Sequence, residues 1–318
     1  MDAGDFGGEQ DRGEVPFSQR LQKSVPGLLQ PESAEVDWAD SAQKLGSQEP
    51  ALLGWPRVGI IGGRGRMGRW LGGRLRQAGH EVLVADAAQG PLLPEIAAAC
   101  PVLVLAVPIP AVAGVLERIG PHTRPDGVLL DIASLKAEPL RLMLEHARGE
   151  VIGTHPLFGP SAPDLQGQLF FVCPGRGSRW LAWLKGWLEA GGARVQEIDA
   201  QAHDRLMAQA QTLRHMLLLG LGGALMQGEF DFARDLPLAG PWFGTLISLL
   251  ERQAGQPAEL YADLALNNPH APAVVRALAE SLGRAASCLD AGDRDGLVAM
   301  LEQVGGFVGG MTGGGDSG

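Results

Sequence analysis

The stretch "RVGIIGGRGRMGRWLGGRL", residues 57–75, constrains the fold of this chain more than any other feature. A short apolar run rich in β-branched residues enters a glycine-rich turn, and a segment with helical periodicity leaves it. The turn has the spacing G-x-G-x-x-G at Gly63, Gly65 and Gly68. Between a strand and a helix, this spacing is typical of a turn that holds the pyrophosphate of a dinucleotide. We expect Gly63 to permit the tight turn, Gly65 to let the backbone approach the pyrophosphate, and Gly68 to let the helix pack against the strand. We therefore predict that the folded part begins with a strand, such a turn and a helix.

Apolar runs alternate with helical segments beyond this turn. The further strand candidates are "HEVLVAD", "PVLVLAVP", "GVLLDIAS", "EVIGTHP", "LFFVCPG" and "ARVQEID". The last two flank the tryptophan-containing helix "RWLAWLKGWLEAGG". Continuous apolar strands that alternate with helices indicate a parallel sheet covered on both faces. We predict an α/β Rossmann-type parallel-sheet domain over residues 56–199.

After Asp199 no segment has the pattern of a strand. Helices are expected at 200–228, 235–255, 257–268 and 271–290, so we predict an all-α helical domain over residues 200–305. Residues 1–55 are polar and keep no period, and we expect a disordered arm. The glycine-rich residues 306–318 are expected to form a flexible tail.

Composition excludes several classes of function. The net charge is −10, which is unlike a protein that binds nucleic acid through a basic face. No run of eighteen apolar residues is present and the amino terminus is acidic, so we expect no membrane partner and a cytoplasmic protein. The three cysteines are widely spaced and form no C-x-x-C pattern, which suggests neither a disulfide framework nor a metal site.

The residues around the glycine turn predict the cofactor. The amino terminus of the following helix offers free N–H groups to phosphates. Asp86 ends the second strand, eighteen residues after Gly68, where a carboxylate accepts hydrogen bonds from ribose hydroxyls. Ala87 and Ala88 follow, where an NADP site more often has arginine, so we predict NAD. The residues expected to bind it are Gly63, Arg64, Gly65, Met67, Gly68, Asp86, Val107, Pro108 and Ser134.

Three polar side chains follow the fourth and fifth strands, in "DIASLK" and "EVIGTHP". Ligands of such sheets bind beyond the carboxyl ends of the strands, so we expect Ser134, Lys136 and His155 to project there. A neutral imidazole can take the proton of a hydroxyl as hydride leaves the carbon that bears it. We predict that His155 and Ser134 are catalytic.

At these residues the sequence resembles the prephenate and arogenate dehydrogenase family, and above all the dehydrogenase part of chorismate mutase/prephenate dehydrogenases. The resemblance runs from about Arg57 to about Asn268. Its motifs are "VGIIGGRGRMGR", "DIASLK", "GTHPLFGP", "HDRLMAQAQTLRH" and "ERQAGQPAELYADLALNNP". It implies that prephenate and NAD give 4-hydroxyphenylpyruvate, carbon dioxide and NADH in tyrosine biosynthesis. It also implies a homodimer formed through the helical domain, which would bury the very apolar segment "QAQTLRHMLLLGLGGALM"; a large monomeric core is the alternative.

The resemblance also assigns residues in the helical domain. Arg252 matches the arginine that binds a substrate carboxylate, and its planar guanidinium suits that role. His215 matches the substrate-side histidine, and Gln211, four residues earlier, shares its helical face. His203 we expect to hold the two domains together rather than to act in catalysis. Bifunctional relatives have a further arginine at the position of Gly244, so one supporting charge is missing here.

Two other readings remain open from the sequence. The same fold could act on arogenate or on an amino-substituted prephenate, and no residue decides between these substrates. A dinucleotide-binding regulator that has lost catalysis is the alternative from another class, although it predicts a missing histidine or serine, and His155, Ser134 and Arg252 are present.

Overall fold

The computed structural model describes residues 55–86, 90 and 92–312. Its seven strands form one sheet and are β1 (Val58–Ile61), β2 (Val82–Ala85), β3 (Val102–Leu105), β4 (Val128–Asp131), β5 (Glu150–Pro156), β6 (Leu169–Arg176) and β7 (Arg194–Glu197). The helices among and beside the strands are α1 (Arg66–Gln77), α2 (Leu92–Ala99), α3 (Val112–Ile119), α4 (Ala137–His146) and α5 (Arg179–Ala190). The expected arm lies almost wholly outside the described residues.

The strand order is β2-β1-β3-β4-β5-β6-β7. The first five strands are parallel, β6 is antiparallel to β5, and β7 is parallel to β6. The chain leaves β1 toward β2 and then returns to form β3 on the other side of β1. A reversal of this kind opens a crevice at the carboxyl ends of the strands.

Helices cover both faces of the sheet, as the continuous apolar strands predicted. On one face, Leu71 and Leu75 of α1 and the indoles of α5 pack against Val58 and Ile60. The opposite face is covered by residues of α2, α3 and α4, which pack on Ile61, Leu103 and Leu129 of the sheet. The sheet is therefore rigid on both sides, and the side chains at its carboxyl edge are held by a packed scaffold.

Helices alone follow the sheet. They are α6 (Ala200–Met207), a π-helical segment (Ala208–Leu213), α7 (Arg214–Gln227), α8 (Phe232–Asp235), α9 (Gly240–Ala254), α10 (Ala258–Asn267), α11 (Ala271–Ala291) and α12 (Arg294–Thr312). The α/β fold followed by a helical part is confirmed. Two expectations need correction: the helix predicted at 200–228 contains the π-helical segment, and residues 306–312, expected in a flexible tail, continue α12.

The apolar segment of α7 is not buried all round within one chain. Leu218 is buried, whereas Leu217 is 45% and Leu219 62% exposed. Apolar exposure on this scale, along one helix, is typical of a surface that a partner covers. No helix among the described residues has the length and apolar character to cross a membrane.

Candidate active site

The glycine turn has the close approaches that the sequence predicts, with one correction. A Cβ on Gly68 would lie 2.5 Å from the Gly62 carbonyl oxygen, and one on Gly63 would lie 2.6 Å from Val84. The positive φ of the tight turn belongs to Gly62, at +84°, and not to Gly63. Sequence reasoning missed Gly62 because the motif spacing begins one residue later. Only glycine fits at these points, so backbone lines the turn.

The surroundings of this turn fit a dinucleotide. The helix α1 begins at Arg66, directly after Gly65, and the turn faces Val107, whose side chain a Cβ on Gly62 would meet at 2.9 Å. Asp86 follows β2, with its carboxylate 3.3 Å from the backbone N of Arg64. Residues that the sequence assigned to the cofactor thus surround one cradle of backbone N–H groups, where phosphates bind favourably.

His155 is the second-to-last residue of β5 and belongs to a buried chain of three side chains. We call this chain the inner cluster: His155, His203 and Asp204. Nδ1 of His155 lies 2.9 Å from Nε2 of His203, and Nδ1 of His203 lies 2.8 Å from Oδ1 of Asp204. The residues are 3%, 0% and 1% exposed. His203 therefore joins α6 to the sheet, as expected, but it does so through the ring of His155.

Burial favours the neutral form of the His155 imidazole. Burial lowers the pKa of His155 well below its ordinary 6.5, and the nearby His203 and Lys136 add to this effect. The second ring nitrogen, Nε2, faces the π-helical segment, where Nε2 of Gln211 lies 3.5 Å away. An uncharged imidazole with one occupied and one weakly contacted nitrogen is suited to accept a proton at the weakly contacted one.

Lys136 does not project beyond the sheet, contrary to the sequence expectation. Its side chain is fully buried, and Nζ donates to Asp131 Oδ2 and to the Thr154 carbonyl oxygen. A buried ammonium needs such partners, since an unpaired charge inside a protein is very costly. Lys136 thus fixes the backbone next to His155 and has a structural place in the site.

Ser134 is partly exposed, in the turn that leads from β4 to α4. Its hydroxyl makes no hydrogen bond to any residue that the structure describes. The position fits a group that orients a ligand at the carboxyl edge of the sheet. Its predicted catalytic role stays a prediction.

A second group of side chains, which we call the outer cluster, consists of His215, Arg214 and Tyr261. Nη2 of Arg214 lies 2.8 Å from Nε2 of His215, and the ring of Tyr261 packs against the imidazole with centroids 4.4 Å apart. Burial, followed by the Arg214 charge, lowers the pKa of His215 from 6.5 to about 4. Gln253 donates from Nε2 to the His215 carbonyl oxygen at 3.2 Å.

Arg252 is exposed near the end of α9, one residue before Gln253. Within the described part of the chain its guanidinium makes no hydrogen bond or ion pair with either cluster, so its place in a substrate site remains a prediction. Arg214 and Tyr261 were missed by the sequence reasoning. The signal was available, because Arg214 directly precedes His215 and Tyr261 lies nine residues after Arg252, within the same motif.

A glycine cradle and a neutral, buried imidazole at the same edge of one sheet define a dinucleotide-dependent oxidoreductase. A family model described as prephenate dehydrogenase, nucleotide-binding domain, matches residues 74–197, and one described as prephenate dehydrogenase, dimerization domain, matches residues 199–303. The chain belongs to the prephenate and arogenate dehydrogenase family.

Relatives of several kinds are similar to this chain. A 4-amino-4-deoxyprephenate dehydrogenase of Streptomyces pristinaespiralis is 32% identical over 275 residues, which cover 80% of this chain and 91% of that protein. A T-protein of Haemophilus influenzae is 29% identical over 248 residues, 78% of this chain and 66% of its own length. A probable arogenate/prephenate dehydrogenase of Methanocaldococcus jannaschii is 29% identical, over 78% of this chain and 60% of its length. The chain thus spans about two thirds or less of the last two.

Solved structures share the fold. Prephenate dehydrogenase from Aquifex aeolicus, in complex with hydroxyphenyl propionate and NAD+, has a TM-score of 0.64 at 17% identity and covers 78% of this chain and 96% of its own. Synechocystis arogenate dehydrogenase has a TM-score of 0.61 at 22% identity, with 80% and 99% covered. At these identities the similarity supports the fold.

Proposed function

We propose that this chain is a prephenate dehydrogenase that catalyses the NAD-dependent oxidative decarboxylation of prephenate to 4-hydroxyphenylpyruvate. The observation that carries the proposal is the neutral imidazole of His155, whose Nε2 lies beside Gln211 at the carboxyl edge of the sheet. The glycine cradle at Gly63, Gly65 and Gly68 lies at the same edge. One site therefore has a place for a dinucleotide and a base for the proton that leaves with the hydride.

The chemistry asks little more of the protein than a base and correct positioning. Bound NAD supplies the hydride acceptor. His155 accepts the proton of the ring hydroxyl at Nε2, and Ser134 orients that hydroxyl. Loss of carbon dioxide makes the ring aromatic and leaves its oxygen negatively charged, and this oxygen takes the proton back from His155, so the decarboxylation needs no separate acid.

Binding of prephenate requires donors for two carboxylates. Arg252 is proposed to bind one of them through its planar guanidinium. His215 and Gln211 lie one helical turn apart, and each has a buried polar atom without a partner among the described residues, Nδ1 and Oε1 respectively. These atoms suit the remaining polar groups of a small substrate, because a buried unpaired group gains when a ligand satisfies it.

An amino-substituted prephenate is the second candidate substrate. The relative from Streptomyces that is matched over 91% of its length carries the name of a 4-amino-4-deoxyprephenate dehydrogenase. His155 could accept a proton from a ring amine as from a ring hydroxyl. Arogenate is a third candidate, since a relative is named for both arogenate and prephenate.

We also propose a homodimer formed through the helical part. Two observations support it. Helix α7 exposes apolar residues, as a surface that a partner covers would, and the family model of the dimerization domain matches residues 199–303. Sedimentation of the full chain should give about twice the mass of one chain. A monomer at micromolar concentration would contradict this proposal.

The test of the proposed activity is NADH absorbance after the protein is mixed with NAD and each substrate. Prephenate, arogenate and 4-amino-4-deoxyprephenate are compared, each with NAD and with NADP. We expect the largest kcat/KM with prephenate and NAD. If NAD binds but none of the three substrates gives NADH, the proposed activity is contradicted and the alternative, a dinucleotide-binding regulator, is supported.

A further inference from the structure

We infer that His203 and Asp204 are positioning residues that fix which ring nitrogen of His155 carries its proton. The catalytic consequence of this inference rests on the proposed function, whereas the hydrogen-bond arrangement does not. The three residues lie in one buried chain, with 2.9 Å and 2.8 Å between the bonded atoms. The chain runs from a carboxylate on α6 to His155, the second-to-last residue of β5.

The direction of the chain is set at Asp204. Its carboxylate accepts backbone N–H groups from Lys136 at 2.8 Å and from Ala137 at 2.9 Å, at the amino terminus of α4. Backbone N–H groups can only donate, and a helix amino terminus favours negative charge. Asp204 is therefore held as an acceptor, and Nδ1 of His203 must donate to it.

The N–H that His203 donates to Asp204 determines which ring nitrogen of His155 carries its proton. When a neutral His203 carries its proton on Nδ1, its Nε2 has only a lone pair. This Nε2 lies 2.9 Å from Nδ1 of His155, which must then carry the proton of that hydrogen bond. The lone pair of His155 is left on Nε2, the nitrogen that faces Gln211. The amide of Gln211 then offers its NH2 to that lone pair, as the 3.5 Å contact requires.

In the proposed reaction, the arrangement orients the base before substrate arrives. The substrate O–H bond breaks and its proton forms a bond with Nε2 of His155, while the hydride goes to the cofactor. The imidazolium so formed keeps its Nδ1–H bond to His203, with the Asp204 carboxylate at the end of the chain. A ring fixed in this way cannot turn an N–H toward the substrate. An N–H at that place would block removal of the substrate proton.

Two titratable groups lie close enough to His155 to affect its pKa, His203 from α6 and Lys136 from the turn before α4. Each is bonded in turn to a carboxylate, His203 to Asp204 and Lys136 to Asp131. On β6 the ring of Phe171 packs beside that of His155, with centroids 6.4 Å apart. Removing the ring of His203 would take away the acceptor of the His155 Nδ1–H, which stabilises the charged form of His155.

The direct test is long-range 1H–15N NMR of the full-length protein with 15N-labelled histidine at neutral pH. We expect the nitrogen pattern of a neutral ring with the proton on Nδ1 for both His155 and His203. His155→Asn and His203→Phe assign the signals. A proton on Nε2 of His155, or a charged His203, would overturn the inference, and this readout holds whatever substrate the protein uses.

The kinetic test compares His203→Phe with His203→Gln. Phenylalanine keeps a ring that can pack against Phe171, now 5.4 Å from His203, but cannot accept the His155 proton. Glutamine offers an amide oxygen as acceptor. We expect kcat to fall about 10-fold or more for His203→Phe and less for His203→Gln, on the scale of acid–base catalysis.

The pH profile separates positioning from folding. His203→Phe should move the acid limb of kcat/KM to lower pH, and His203→Gln should move it less, because an acceptor for the Nδ1–H stabilises the charged form of His155. NAD affinity, measured by fluorescence titration, should stay within about twofold. Equal losses in both variants with an unmoved acid limb would show a purely structural role. If His203→Phe does not fold, His203→Gln assigns the His203 signals and the NMR of the unaltered protein still decides.

Discussion

The inner and outer clusters each contain a buried imidazole, yet their partners give the two rings opposite uses. Burial lowers the pKa of both His155 and His215. Nδ1 of His155 meets another imidazole that leads to a carboxylate, which leaves a lone pair on Nε2. His215 meets a guanidinium, which can only donate, so its own proton is left on Nδ1. The partner, and not the histidine itself, decides between a proton acceptor and a hydrogen-bond donor.

The largest expected effect comes from removing the base. His155→Asn should lower kcat by about 100-fold or more, because the amide cannot take the hydroxyl proton. Steady-state NADH formation measures it, with NAD affinity as a check on the cofactor cradle. His122→Asn, at an exposed histidine in the same half, is the matched control and should keep full activity. Near-normal turnover of His155→Asn would remove the inner cluster from the chemistry.

The buried pair of Lys136 and Asp131 lies beside the inner cluster and gives the next largest expected effect. Lys136→Met would leave the Asp131 carboxylate buried without its ammonium, which should cost about 3–5 kcal/mol of unfolding free energy. Lys185→Met, at an exposed pair with Glu197, should cost about 0–1 kcal/mol. Urea unfolding of both variants measures the difference. Equal costs would mean that Lys136 does not anchor the strand end beside His155.

Much of the sheet could be predicted, because each apolar run and the glycine turn report local structure. The antiparallel direction of β6 could not be predicted, because an apolar run looks the same in either direction. Helices α2 and α4 were not predicted. Each has a proline as its third residue, Pro94 and Pro139, which breaks the apparent pattern although proline is tolerated in a first turn.

The candidate site divides in the same way. His155 was predictable because it lies in a motif at the end of a strand. Its bond to His203 joins residues 48 apart in sequence, and no periodicity reveals such a pair. The π-helical segment that carries Gln211 was also hidden, because the sequence of Ala208–Leu213 has an ordinary helical composition. Long-range partners therefore decide what the motif residues do.

The pH dependence of stability compares the two imidazoles directly. Below pH 6.5, His155 and His215 bind protons in the unfolded chain but stay neutral in the folded protein, because folding lowers the pKa of both rings. The free energy of unfolding should therefore fall as pH is lowered from 6.5. The contribution of His215 is lost down to about pH 4, where the folded ring also takes a proton. Urea unfolding at a series of pH values measures the slope. His215→Gln should reduce that slope above pH 4, whereas His122→Asn, which removes an exposed histidine, should leave it nearly unchanged.

The smallest expected effect concerns the cations of the helical part. Arg252→Gln should raise KM for prephenate by several-fold, up to about tenfold, because one charge-assisted bond to a carboxylate is lost, while kcat changes little.

Arg214→Gln tests the outer cluster instead: without the guanidinium, the pKa of His215 should rise, since the Arg214 charge helps to lower it. Arg148→Gln, at an exposed arginine of the α/β part, is the control. If Arg214→Gln raises KM and Arg252→Gln does not, the substrate carboxylate binds at the outer cluster and not at Arg252.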